Sequence, residues 1–129
     1  MLKLLAMIAP IALTACVVVP DAPNQGRTPW PAGNAVPLGQ PVALGDIEVT
    51  ALEIVEDSRC PIDAQCVWAG RLIVKTRITS AGWRDTADIT LGGEFGTHGH
   101  VVALTEVSPA KTAERELRPA DYRFSYELR

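Results

Sequence analysis

The chain has 129 residues, 47% of them hydrophobic and 21% charged, with 15 acidic against 12 basic side chains and a formal net charge of −3. That balance excludes the basic face that binding to nucleic-acid phosphates requires, and it is too mild to imply a strongly cationic partner. Three cysteines are an odd number for so short a chain, so at least one has a fate other than an internal bridge.

The chain begins "MLKLLAMIAPIALTAC", in which one cation, Lys3, precedes an apolar run interrupted by Pro10 and small residues lead to Cys16. This is the pattern of a secretory signal, since a membrane-spanning helix needs roughly 20 consecutive apolar residues. Leu13-Thr14-Ala15-Cys16 resembles the bacterial lipoprotein signal box, the alternative being an ordinary cleaved signal with an incidental cysteine. The resemblance implies that residues 1–15 are removed and that Cys16 becomes the new N-terminus, carrying a covalent lipid on its sulfur. Each buried methylene contributes about 0.8 kcal/mol, so two or three acyl chains would make the membrane attachment effectively permanent. Val17 at the following position, where Asp would favour retention in the inner membrane, implies the outer membrane of a Gram-negative host, facing the periplasm or the surface.

Residues 16–34 read as the lipidated cysteine followed by a flexible tether, because Pro20, Pro23, Pro29 and Pro31 fall among glycines and polar residues. At roughly 3 Å per residue, an extended tether would lift a domain about 50 Å from the bilayer. Trp30 within it docks on the domain, docks on the membrane interface, or remains in solvent. Residues 35–129 read as one small domain, long enough to fold alone but burying only a modest fraction of its surface.

Alternation dominates that domain. In "DIEVTALEIVE", Ile47 and Val49 share one parity whereas Leu52 and Ile54 share the other, which predicts a β-bulge near Ala51. "WAGRLIVKTRIT" predicts a strand with Trp68, Leu72, Val74 and Ile78 on its buried face, and "WRDTADITL" a second with Trp83, Ala87, Ile89 and Leu91 inward. Ser80-Ala81-Gly82 joins the two within hairpin distance. "HVVALTEV", residues 100–107, alternates poorly and reads as covered on both faces. In "DYRFSYELR", Tyr122, Phe124, Tyr126 and Leu128 alternate with polar residues. "SPAKTAERELRP" admits one or two helical turns at most. Six or seven short strands with turn signals predict an all-β fold, an antiparallel β-sandwich of immunoglobulin-like type with one disulfide, with a small barrel as the alternative.

With Cys16 lipidated, Cys60 and Cys66 form an even pair in an exported protein, which favours a structural disulfide. A redox pair would favour Cys-x-x-Cys spacing and a helix N-terminus, and a zinc site would need more thiolates than an oxidised pair leaves. The surrounding "DSRCPIDAQCVWAG" resembles a motif of small exported bacterial proteins, often lipoproteins, of the form Asp-Ser-Arg-Cys-Pro-x-x-x-x-Cys-x-Trp-x-Gly, here Asp57, Ser58, Arg59, Cys60, Pro61, Cys66, Trp68 and Gly70. The resemblance implies a shared fold and the Cys60–Cys66 bridge, and no reaction.

Asp57, Arg59, Asp63 and Gln65 are the candidate recognition residues of this loop; the plainer alternative has Asp57 or Ser58 capping the turn and Arg59 solvated. Arg59 beside a stapled ring also raises a protease-inhibitor reading. In "LGGEFGTHGH", His98 and His100 lie two apart, so on one strand they share a face and are the candidate metal ligands, with Glu94 as a conceivable third. The glycines lack the strand-to-helix setting of a nucleotide site. None of Ser58, Ser80, Ser108 and Ser125 lies in Gly-x-Ser-x-Gly, and catalysis is not expected. The expectation is a non-enzymatic, lipid-anchored envelope module that binds a protein partner or gives structural support, without cofactor or nucleic acid. The alternatives are envelope metal binding through His98 and His100 and protease inhibition through Arg59.

Overall fold

The computed structural model describes residues 27–129; the signal segment, the Cys16 lipidation site and the first part of the tether lie outside them. Seven strands follow in chain order: β1 (Val42–Leu44), β2 (Ile47–Asp57), β3 (Leu72–Ser80), β4 (Trp83–Thr90), β5 (Glu94–Thr97), β6 (His100–Ser108) and β7 (Arg123–Leu128). They form two antiparallel sheets, β1-β2-β3-β4 and β5-β6-β7, with sequential strand order in each. The all-β sandwich with four and three strands and one disulfide is the architecture that the alternation implied.

The β2 parity change is resolved by a bulge. Ala51 pairs with Thr76 and Glu53 with Lys75, leaving Leu52 as the extra residue, and a second register shift falls between Ile54 and Glu56. In β6, Val102, Ala103 and Leu104 are all buried in succession, which is why this strand does not alternate. Phe124, Ile47, Leu72, Ile78, Ile89 and Leu104 are the large fully buried side chains between the sheets. One polar contact is sealed among them. Thr76 Oγ1 and Tyr126 Oη share a hydrogen bond of 2.9 Å, and burial pushes the Tyr126 phenol upward despite that bond.

The chain changes sheets at Leu91-Gly92-Gly93. Leu91 N donates to Leu72 O on one side, and Gly92 N donates to Leu104 O on the other. On the opposite flank Val36 exchanges two hydrogen bonds of 2.8 Å with Phe124 of β7 before the chain enters β1.

Two expectations are corrected. Residues 28–34, assigned to the tether by their prolines, lie against the domain: Trp30 N donates to Pro41 O, Ala43 N donates to Trp30 O, and Gln40 Nε2 donates to Thr28 O. Proline removes a donor but leaves the neighbouring amides able to extend a sheet edge, so Trp30 packs as a short parallel bridge to Val42 and is 42% exposed. Trp68 does not lie on the inner face of β3, which begins only at Leu72. Gly70 at φ +68° interrupts the extended chain, and the alternation running back from Val74 stops there. Between β6 and β7 the chain is irregular until a single 3-10 turn at Pro119–Asp121, with no helix in residues 109–118.

Candidate recognition loop

The β2–β3 connection, residues 57–71, is built from the stem outward. Ser58 N donates to Arg71 O at 2.8 Å, Arg71 N donates to Ser58 Oγ at 3.0 Å, and Cys60 N donates to Ala69 O at 3.1 Å. This pairing brings the two sides so close that a Cβ on Gly70 would stand 1.7 Å from Ser58 O, so glycine is required there for space as well as for its φ. Beyond the stem, Cys60 and Cys66 are joined with their Cα atoms 5.9 Å apart, and Ala64 N donates to Pro61 O to close the turn inside the ring.

A polar latch holds this loop to the β6–β7 connection. Arg59 donates from Nε to Asp57 Oδ1 at 2.8 Å and from a terminal nitrogen to Asp57 Oδ2 at 3.0 Å. Tyr122 Oη donates to the same Oδ2 at 2.6 Å, and Lys111 Nζ donates to the Asp57 carbonyl at 3.0 Å. The side chains of Arg59 and Asp57 are only 15% and 10% exposed. Burial pushes the Asp57 carboxyl upward, but the hydrogen bonds from Arg59 and Tyr122 and the Arg59 charge outweigh it and hold the group below the usual carboxylate range. Burial first, then the bond to Asp57 and its charge, push the Tyr122 phenol up to about 12. Further out, Ile62 N donates to Lys111 O at 2.9 Å and Ala113 N donates to Asp63 Oδ1 at 2.8 Å.

The residues singled out from the sequence thus divide. Asp57 and Arg59 belong to the latch, so neither is offered to a partner; Arg59, which also donates to Pro109 O at 3.4 Å, is not free to enter a protease pocket. Asp63 holds the loop to the 109–113 segment, while Gln65 is exposed. What the loop presents instead is apolar: Ile62 is 74% exposed, Val67 92% and Trp68 82%. Trp68 lies just outside the Cys60–Cys66 ring and one residue before Ala69, which the stem bonds to Cys60, so its backbone is held at both sides and less chain entropy remains for a partner to overcome; Trp is among the residues that dominate interface energetics. Alternation carried back from Val74 puts Val67 outward and Trp68 inward; Trp68 is exposed only because the chain breaks at Gly70, whose φ is +68°.

His98 and His100 both lie against Trp83. His98 stacks on the indole with centroids 4.2 Å apart, and its Nε2 lies 3.7 Å from Asp85 Oδ2; His100 lies 6.1 Å from the same ring and faces Asp46 Oδ1 at 3.7 Å. His98 has φ 46°, a turn conformation that breaks the common strand face on which the pairing of ligands depended. Among the described residues, no group of three or more His, Cys, Asp or Glu side chains is placed to hold a metal ion. Glu94 pairs with Ala103 at the far end of β5 from Thr97 and the histidines.

No family model matches this chain, and neither curated proteins nor solved structures give a match.

Proposed function

We propose that this protein is a lipid-anchored, non-enzymatic binding module of the bacterial envelope, tied to the membrane through Cys16 and recognising a protein partner through the tip of the stapled loop. The observation that carries the reading is the 82% exposure of Trp68, beside Val67 at 92%, on a loop that a disulfide and a buried ion pair hold in place. Isolated exposed apolar residues are ordinary on protein surfaces; three on one latched loop form a candidate interaction patch. The resemblance of residues 57–70 to an exported lipoprotein motif supports the same setting.

The test uses the full-length lipidated protein in its own envelope. A photoreactive residue in place of Val67 is expected to yield a discrete cross-linked protein species, whereas one in place of the exposed Thr86 on β4 yields none. Equal labelling at both positions, or none at position 67, overturns the recognition loop. Cys16→Ser is expected to move the protein from the membrane to the soluble fraction; unchanged membrane association would overturn the anchor.

A further inference from the structure

The way the chain enters the domain sets which end of the sandwich faces its anchor. Trp30 bridges Val42 in parallel, so residues 28–30 run alongside β1 toward the β1–β2 turn and away from the β2–β3 loop. Followed backwards, toward Cys16, the chain leaves the domain heading for the loop's end. Hydrogen bonds set its level on the sheet edge: Arg27 donates to Gly39 O, and Gly39 N donates to Ala51 O. Asp57 lies six residues beyond Ala51 in β2, about 20 Å of strand, and the Ser58–Arg71 and Cys60–Ala69 stem with its tip adds about 10 Å. Because residues 28–34 lie against the domain, eleven residues, 16–26, are left between the lipidated cysteine and Arg27. They span no more than about 40 Å, so with this end toward the bilayer the loop tip stands within about 10 Å of the surface that holds Cys16.

The tip is chemically suited to that surface. Of residues 60–69, Asp63 alone carries a charge, and its carboxylate is turned back to accept from Ala113 N. Ile62, Val67 and Trp68 are exposed on the tip, whereas the ions sit at its base, with Arg71 paired to Glu56 and with Arg59 and Lys111 bonded to Asp57. Apolar side chains ahead of a polar collar match the boundary between acyl chains and headgroups, and Trp is enriched there because its ring is apolar while its N–H takes a hydrogen-bond acceptor. The depth is limited, since irregular loop backbone does not enter the hydrocarbon. We infer that, between encounters with its protein partner, the tip of the recognition loop rests in the interface of the bilayer that holds Cys16, with Trp68 at headgroup level. The inference rests on the anchor and the recognition loop proposed above and adds a second role to the same tip: the membrane covers an apolar patch that is otherwise an aggregation liability. Three side chains grip a bilayer weakly on their own, but the lipid at Cys16 makes the contact intramolecular and raises its effective concentration.

The experiment is tryptophan fluorescence of the mature lipidated protein in vesicles of phosphatidylcholine brominated high in one acyl chain, against unbrominated vesicles, for the parent and for Trp68→Phe. Bromine quenches an indole only at close range, and the tryptophans report different heights: Trp68 at the loop, Trp30 on the edge beside Val42, and Trp83 at the β3–β4 hairpin, at the opposite end of the sandwich. Flotation with the vesicles and a circular dichroism melt are the anchoring and folding controls. The parent is expected to lose one indole's share of its emission in the brominated vesicles, and the emission left in Trp68→Phe is expected to be unchanged by bromine. A parent that is not quenched overturns the docking. So does a Trp68→Phe variant quenched as strongly as the parent, because that result puts another face of the domain on the membrane. A chain that does not float with the vesicles overturns the anchor and the docking together. If the docking fails while position 67 still cross-links to a protein, the recognition-loop reading survives that failure; if position 67 cross-links to nothing, both fall.

Discussion

Two glycine-containing connections, residues 57–71 and 91–100, look equally irregular in the sequence, yet they are held by different physics. The first is fixed by a covalent bridge, a stem of backbone hydrogen bonds and a buried carboxylate–guanidinium pair, and it exposes hydrophobic side chains. The second is fixed by its own strands and by His98 lying flat on Trp83, with Thr97 Oγ1 donating to Asp85, and its tip is glycine and imidazole. The contrast indicates that exposure and looseness are separate properties. Trp68 is in water because its loop is anchored elsewhere, which is the arrangement expected of a surface kept ready for a partner.

The sharpest way to break the comparison is to give each loop one methyl group. Gly70→Ala places a Cβ 1.7 Å from the Ser58 carbonyl oxygen at a residue with φ +68°, so both the stem and the backbone must move. A loss of about 3 kcal/mol or more in urea unfolding is expected, the range of overpacking combined with backbone strain. Gly99→Ala in the histidine hairpin meets nothing within 4 Å and carries only its φ of +79°, so about 1 kcal/mol is expected. Equal effects would mean that the stem is not the tight element described above.

Removing the latch ranks next. Asp57→Ala leaves Arg59 and the Tyr122 hydroxyl without their shared acceptor in a site where both side chains of the ion pair are largely covered. A cost of about 3 kcal/mol is expected, the lower end for breaking a buried ion pair on one side. Its pH dependence has a defined sign. The folded-state carboxyl of Asp57 lies below its ordinary value, so its contribution is present above the unfolded carboxylate range and is lost as pH falls through the folded value. Tyr122 behaves oppositely: raised to about 12, it contributes below the ordinary phenol value of 10 and loses that contribution as pH rises from there through 12. Tyr122→Phe should therefore shrink the alkaline limb of the stability profile, leaving the part that the buried Tyr126 phenol contributes, and should leave an acid limb that Asp57→Asn diminishes.

The disulfide is a smaller contributor than the latch. For a ring of seven residues, chain entropy gives about 2.4 kcal/mol, so a Cys60→Ser, Cys66→Ser double variant should lose about that much in the same urea measurement. A loss above that of Asp57→Ala would reverse the ranking and make the covalent bridge the principal fastening.

How far the sequence could be read follows the same division. Wherever one face of a strand is buried, period-two alternation is visible, as at Leu72, Val74 and Ile78, and even the bulge at Leu52 is visible as a change of parity. The loop was legible as a stapled ring because the cysteines mark it. What it does with its charged residues was not, because Lys111 and Tyr122 lie 54 and 65 positions from Asp57 and no local pattern announces a contact at that separation. Arg59 is hidden for the same reason: its hydrogen bond to Pro109 O spans 50 positions, and only the fold reveals that this arginine is covered. The 28–34 segment misled through composition, since its prolines conceal the amides of Trp30 and its neighbours that extend the sheet edge.

The smallest expected effect on stability is the most informative about function. Trp68 is 82% exposed, and among the described residues its side chain makes no ring contact or hydrogen bond, so Trp68→Ala should change the unfolding free energy by no more than about 0.5 kcal/mol. Trp83, half-buried and stacked on His98, differs: Trp83→Ala removes packing at the β4 edge as well as the aromatic contact, and about 2 kcal/mol is expected. In a functional assay the order should invert, with Trp68→Ala eliminating the cross-link at position 67 and Trp83→Ala sparing it once the protein is held below its melting temperature. Folding alone supplies no reason to keep an indole at position 68. A variant that is stable yet silent at that position would therefore assign the residue to recognition, and a variant that unfolds would assign it to the loop's own packing.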